Sequence, residues 1–307
     1  MKKKVLVTEQ IPESVQNYLR EQVEIKTWDS SEQMPREQLL AEIDQYHGLI
    51  TAKDKIDDEL LNRAKNLEVV SNVAVGYDNF DVEALKRSQV IATHTPYVLD
   101  ETVADLIFGL ILSSARRITE LDQYVKQGKW KKGIDSSLFG RNVHHKKLGI
   151  IGMGRIGEKV ARRAKLGFEM EVTYYNRSKK EQIEKDLGIG YQEMEELLKE
   201  SDFILVMTPL TKETHHLINA KEFKKMKDTC FFINASRGAV VNEKEMIQAL
   251  EDKEIAGAGL DVFEQEPVDP DNPLLKMNNV VTLPHIGSAT AETREDMKFA
   301  AKICCKL

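Results

Sequence analysis

Six short apolar runs in the second half of this 307-residue sequence each lead into a residue type that chemistry uses. Residues 148–151 run into Gly152-Met153-Gly154-Arg155-Ile156-Gly157. Residues 172–175 lead to Asn176-Arg177-Ser178, and 203–207 to Thr208-Pro209. Residues 230–233 precede Asn234-Ala235-Ser236-Arg237-Gly238, 256–260 precede Asp261, and 280–283 precede Pro284-His285. In a doubly wound parallel sheet, ligands sit outside the carboxyl ends of the strands. A glycine-rich loop, an Arg, an Asp and a His then line one crevice, an arrangement that reads as a dinucleotide-dependent enzyme.

Each group has a task that its chemistry suits. Gly152, Gly154 and Gly157 permit a tight turn, close approach of backbone to a pyrophosphate, and close packing of helix on strand. The helix that follows offers free N–H groups and the positive end of its dipole to phosphates. Reduction of a carbonyl needs a proton donor for the developing alkoxide, and His is the commonest choice; here that points to His285. A carboxylate beside the ring favours its protonated form, and Glu266, restricted by Pro267 after it, is available. Arg237 can hold a substrate carboxylate in a two-pronged fork.

The end of the second strand bears on which dinucleotide binds. An Asp or Glu there holds the ribose 2′-hydroxyl of NAD. This sequence places Asn176, Arg177 and Ser178 instead. Asn does not repel a 2′-phosphate and Arg attracts it, so NADP(H) is the preferred cofactor, with NAD(H) possible.

The elements that must position these groups follow an α/β rhythm. Five strand-like runs, 5–8, 23–28, 48–51, 69–73 and 90–94, are separated by helical stretches such as 35–46 and 57–64. Strands alternating with helices imply a parallel sheet covered on both faces. Residues 100–126 show one long helical pattern, with Val103, Leu106, Ile107, Leu110 and Ile111 at i, i+3, i+4 spacing, and predict a packed helix joining two domains. Residues 128–145 read as an arm or long loop. The second series begins at Lys147, and 290–306 read as helical. The expected fold is therefore α/β with two doubly wound parallel-sheet domains and a cleft between them. Residues 1–98, completed by 290–307, form the first, and residues 99–289 form the Rossmann nucleotide-binding domain.

Composition narrows the class of partner. Hydrophobic residues make up 41% and charged residues 31%, ordinary for a globular protein. A net charge of −6, with no long basic run, argues against nucleic acid. Residues 5–8 are too short an apolar core for a signal peptide, and 103–112, interrupted by Asp105, are far too short to span a membrane. Cys230, Cys304 and Cys305 form no disulfide framework or metal-ligand spacing, consistent with a reducing cytoplasm. His144-His145 lack a third ligand at a sensible distance in sequence, so no metal is expected, and His215-His216 read as surface residues.

These motifs together resemble the D-isomer-specific 2-hydroxyacid dehydrogenase family over nearly the whole chain. The resemblance rests on Gly152–Gly157, on Asn234-Ala235-Ser236-Arg237-Gly238, on Gly259-Leu260-Asp261-Val262-Phe263-Glu264-Gln265-Glu266-Pro267, and on Pro284-His285-Ile286-Gly287-Ser288-Ala289-Thr290. Val75-Gly76-Tyr77-Asp78-Asn79 resembles the family's substrate-domain loop. The segment from Asn142 to Gly149 and Asn176-Arg177-Ser178 look closest to bacterial reductases of glyoxylate, hydroxypyruvate and 2-ketogluconate. The resemblance implies a flavodoxin-like substrate domain and NADPH-preferring reduction of small 2-oxo acids to D-2-hydroxy acids. It implies Arg237, Glu266 and His285 as the catalytic set, with Val75, Gly76 and Ser288 beside Arg237 at the substrate. It further implies Thr102, Arg155, Ile156, Pro209, Thr214, Ala235, Asp261 and Gly287 around the cofactor, Asp261 meeting the nicotinamide amide. A homodimer with the 128–145 arm crossing to its partner is implied too. So is a last helix continuing into the first domain, from which Ile303-Cys304-Cys305-Lys306-Leu307 departs.

A D-3-phosphoglycerate-type dehydrogenase is the alternative of the same class, but the NAD-selecting carboxylate is missing. A formate dehydrogenase of this fold needs no proton relay, against which Glu266 and His285 speak. A nicotinamide-sensing binding protein is the alternative of a different class, against which an intact catalytic set weighs, since fold alone does not decide function.

Overall fold

The computed structural model describes residues 2–30 and 32–301. The chain divides into two compact units, Met1–Leu99 with Ser288–Leu307, and Asp100–Gly287. The expected continuation of the last helix over 302–307, with Cys304 and Cys305, lies outside the described residues.

The first unit is built on five parallel strands: β1 (Lys4–Val7), β2 (Glu24–Thr27), β3 (Gly48–Thr51), β4 (Val69–Asn72) and β5 (Ile91–Thr93). Their order is β2-β1-β3-β4-β5, the flavodoxin-like arrangement. Interior strands are buried on both faces and so read as continuous apolar runs. Accordingly β3 and β4 are buried throughout, whereas the edge strands β2 and β5 alternate or face water. Four helices cover the faces, α1 (Glu13–Gln22), α2 (Arg36–Glu42), α3 (Asp58–Arg63) and α4 (Val82–Arg87). Two start at Asp caps: Asp57 accepts from Leu60 N at 3.1 Å and Asp81 from Ala84 N at 2.9 Å. The helix expected over 35–46 is shorter, because its last turn tightens into a 3₁₀ segment, Ile43–Gln45.

The second unit carries seven parallel strands: β6 (Lys147–Ile151), β7 (Glu171–Tyr175), β8 (Gly190–Tyr191), β9 (Phe203–Val206), β10 (Phe231–Asn234), β11 (Gly257–Leu260) and β12 (Val280–Thr282). The order β12-β11-β10-β9-β6-β7-β8 reverses direction between β6 and β9. That reversal is the topological switch point at which such sheets bind ligands. The long helix expected over 100–126 is two helices, α5 (Asp100–Arg116) and α6 (Ile118–Lys126), divided at Arg117, whose φ of +55° breaks the helical path. α5 buries Val103, Ala104, Ile107, Phe108, Leu110 and Ile111, while α6 buries nothing. Against α5 lies α7 (Arg155–Gly167), joined to it by Arg163 with Glu101 and Asp105, each at 2.7 Å. The remaining helices are α8 (Glu181–Leu187), α9 (Met194–Glu200), α10 (Ala220–Phe223) and α11 (Glu243–Glu251). The chain then re-enters the first unit as α12 (Ala291–Ala300), capped by the Thr290 hydroxyl.

No helix among the described residues is long and apolar enough to cross a membrane.

Candidate active site

Every strand end that the sequence singled out in the second unit lies on the carboxyl edge of one sheet. β6 stops at Ile151, and Gly152 turns the chain with φ +105°. A Cβ at that position would lie 2.7 Å from the carbonyl carbon and oxygen of Met207, just after β9, so only glycine closes the switch point. Gly154 is the N-cap of α7, with no side chain capping the helix and open space where a Cβ would stand. Gly157 presses against the Gly152 carbonyl. The first-turn N–H groups of Arg155, Ile156 and Gly157 have no intrahelical acceptor. This cradle of backbone N–H groups at the positive end of a 13-residue helix fits a dinucleotide pyrophosphate. Arg155 is tied by its Nε to the buried Asp100 at the start of α5, at 3.0 Å.

Beyond β7 the turn is braced by side-chain hydrogen bonds. The Tyr174 hydroxyl accepts from Lys180 N and donates to Glu184, both at 2.6 Å, and burial followed by the Glu184 bond pushes its pKa up to about 12. Asn176 Nδ2 donates to the Ser178 carbonyl at 3.1 Å, while Arg177 and Ser178 face water. No carboxylate occupies the Asn176 position, where NAD-selecting chains carry one. After β9, the Thr208 hydroxyl is buried with no hydrogen-bond partner among the described residues. The Thr214 hydroxyl donates to Pro209 O at 2.6 Å and closes the next loop.

The ends of β10, β11 and β12 hold the titratable groups. Asn234 organises the first: its Oδ1 accepts from Ser236 N and Oγ, and its Nδ2 donates to Arg237 O. This clamp fixes Ala235 and Arg237, whose Nη1 donates to the Ser236 carbonyl at 2.8 Å. A Cβ on Gly238 would overlap the backbone of Phe263 and Glu264, so glycine lets the Glu266 loop sit against the Arg237 loop.

Glu266 receives two donors. Phe263 N donates to Oε1 at 3.1 Å, and His285 Nδ1 lies 2.6 Å from Oε2. Burial raises the Glu266 pKa, but the His285 bond, the Phe263 N–H and the charges of His285 and Arg237 outweigh it, and the net shift is downward. An ionised carboxylate only accepts, so the ring donates from Nδ1 and presents Nε2 as its second nitrogen. His285 sits at φ +53°, directly before a stretch that Asp261 fixes. Ile286 N and Gly287 N each donate to one Asp261 oxygen at 2.8 Å. Asp261 is buried, which raises its pKa against the pull of those bonds and of the His285 charge. Gly287 also approaches Val103, next to Thr102 in the first turn of α5.

In the first unit, Val75 and Gly76 lie in the loop after β4, and Ser288 opens the segment before α12. Three features escaped the sequence reading: the Asn234 clamp, the Asp100–Arg155 pair, and a bond between His216 and Glu264. Asn234 and Ser236 stand two apart, the spacing of an Asx turn, and that signal was available. No group of three or more His, Cys, Asp or Glu with metal-binding geometry occurs among the described residues.

A parallel sheet with this loop at its switch point, a His–carboxylate pair and an Arg defines a dinucleotide-binding unit equipped for proton transfer. Residues 108–287 match the family model described as D-isomer specific 2-hydroxyacid dehydrogenase, NAD binding domain. The chain belongs to the D-isomer specific 2-hydroxyacid dehydrogenase family. It is 46% identical over 98% of its length to the glyoxylate/hydroxypyruvate reductase B of Escherichia fergusonii, 93% of which is covered. It is 46% identical over 97% of its length to the glyoxylate reductase of Pyrococcus furiosus, with 89% covered. The crystal structure of an NADPH-dependent glyoxylate/hydroxypyruvate reductase from Sinorhizobium meliloti, in complex with NADP and malonate, superposes with a TM-score of 0.84. That chain is 31% identical, with 97% of this chain and 91% of that one covered.

Proposed function

We propose that this chain reduces glyoxylate and hydroxypyruvate, and with them 2-ketogluconate, to the D-2-hydroxy acids, with NADPH preferred over NADH. The observation that carries the reading is the His285–Glu266 pair at 2.6 Å on the same sheet edge as the glycine cradle. Reduced nicotinamide, when bound, supplies a hydride to the carbonyl carbon. Arg237 holds the substrate carboxylate, with the N–H groups of Val75 and Gly76 and with Ser288 contributing from the first unit. His285 delivers a proton from Nε2 to the carbonyl oxygen, and Glu266 holds the charged ring. Hydride and proton together turn the 2-oxo acid into the 2-hydroxy acid. Gly152–Gly157 hold the pyrophosphate, Thr102, Pro209, Thr214, Ala235 and Gly287 line the cofactor site, and Asp261 meets the nicotinamide amide.

Asn176, Arg177 and Ser178 support the NADPH preference, since an exposed Arg and no carboxylate suit a 2′-phosphate. We also propose a cytoplasmic homodimer paired through the second unit. Ile118 and Val125 on α6, with Trp130, Ile134 and Phe139 on the arm, are all more than half exposed, the signature of a surface that another chain covers. Light scattering on the purified protein tests that state, with a monomer refuting it.

The test of function is loss of absorbance at 340 nm with each of the three acids and either cofactor. Turnover faster with NADPH supports the reading. Tight NADPH binding without turnover of any of them refutes it in favour of a sensor.

A further inference from the structure

The loop after β4 that the proposed function assigns to the substrate carboxylate has an unusual backbone arrangement. Three successive carbonyls are each held by a donor from outside the loop. Thr95 N donates to Ala74 O at 3.0 Å. His94 Nδ1 lies 2.9 Å from Val75 O, and Asn72 Nδ2 donates to Gly76 O at 2.7 Å. A carbonyl oxygen can only accept, so His94 carries a proton on Nδ1. In a trans peptide the N–H points opposite to the carbonyl of the same unit. Pinning the carbonyls of Ala74 and Val75 therefore turns the N–H groups of Val75 and Gly76 the other way. Neither forms a hydrogen bond among the described residues. Successive N–H groups aimed together form a cavity for an anion.

The pins are themselves supported. Asn72 ends β4 and is fully buried, so its amide has no freedom to turn away. The Tyr77 and His94 rings pack at 74° to each other with centroids 5.5 Å apart, limiting rotation of the imidazole. Nothing in the catalytic chemistry needs a His at position 94 or an Asn at 72.

We propose that His94 and Asn72 are positioning residues that hold the Val75–Gly76 N–H groups ready for the substrate carboxylate. Their contribution is to substrate affinity. A loop without its pins keeps the donors but must order them on each binding event, and that cost falls on KM. The inference rests on the reading of this loop as the carboxylate site.

The experiment is steady-state reduction of glyoxylate by the full chain, with NADPH affinity and thermal melting measured alongside. His94→Leu, which has no donor, is expected to raise the KM for glyoxylate about 3- to 10-fold, the size of one lost hydrogen bond. The kcat and the NADPH dissociation constant stay within about two-fold, because the chemical step and the second unit are untouched. His94→Asn restores a donor on the δ nitrogen and returns KM toward the starting value. Asn72→Ala shifts KM in the same direction as His94→Leu. An unchanged KM in His94→Leu overturns the proposal, as does His94→Asn behaving like His94→Leu. Gly76→Pro, which removes one N–H, separates the underlying reading. If it raises KM while His94→Leu does not, the carboxylate site stands and the pins fall. If a folded Gly76→Pro leaves KM unchanged, the carboxylate reading itself falls.

Discussion

Replacing Glu266 with Gln isolates the charge beside His285 at nearly constant shape. Glu266 offers two acceptor oxygens, one to Phe263 N and one to the imidazole. Gln offers a single acceptor, so one of the two N–H donors must face an amide NH₂. A hydrogen bond between charged partners contributes about 1.5–3 kcal/mol. Here 44% of the His285 side chain and 35% of that of Glu266 remain exposed, so water screens the pair and the lower end applies. About 1.5–2 kcal/mol corresponds to a loss of about 10- to 30-fold in kcat/KM. The assay is initial-rate reduction of glyoxylate with saturating NADPH, together with fluorescence titration of the cofactor. Binding should be unchanged, because Glu266 touches none of the groups at the glycine cradle. The pH dependence supplies a second reading. The Glu266 pKa lies below its ordinary value, so its contribution to stability is complete above about 4.3 and is lost as pH falls through the lower folded value. Glu266→Gln removes that acid-side loss from the melting profile. A kcat/KM within two-fold of the parent, or an unaltered acid profile, refutes the role given to the pair.

Other outcomes follow from the same site. His285→Gln should bind NADPH normally and lose about 10²- to 10⁴-fold in turnover, the value of general acid catalysis; near-normal rates remove His285 from the proton step. Arg177→Ala should weaken NADPH by about 10- to 100-fold while leaving NADH within about three-fold, as expected for one lost charge-assisted bond to a phosphate. Equal losses for both cofactors refute the 2′-phosphate assignment. Gly152→Ala combines a φ of +105° with a Cβ 2.7 Å from Met207, and strain of about 1–3 kcal/mol should lower the melting temperature by several degrees. The same variant should lose NADPH affinity, measured by titration, and an unperturbed melt rejects the steric argument.

The strands were legible because interior strands of parallel sheets are buried on both faces, so β3, β4, β6, β9, β10 and β11 stand out as short apolar runs. The glycine spacing announced the phosphate loop, and Pro284-His285 and Glu266-Pro267 announced two of the groups beside it. Other features left no local trace. Apolar spacing continues across residue 117, and nothing in it marks an Arg in the left-handed region. β8 is two residues long and lies at a sheet edge, too short for any period to show. His216, expected as a surface residue, is partly exposed and meets Glu264 across 48 positions, a separation that no local spacing signals. The pins on the Val75–Gly76 loop are hidden for the same reason: His94 and Asn72 carry no spacing signal until β4 and β5 pair.

The division of the chain has a consequence for its synthesis. The second unit is an insertion in the first, leaving at Leu99 and returning at Ser288. Its own two ends meet, since Gly287 approaches Val103. Its sequence is complete before α12 has been translated. That of the first unit is not, for the Ser71 hydroxyl waits for the carbonyl of Ala301, and Tyr18 for the ring of Phe299. Domains are commonly finished in the order they are made. Here the half that is started first is completed last, and a chain ending near residue 290 holds every residue of the nucleotide-binding unit but lacks α12 of the substrate unit.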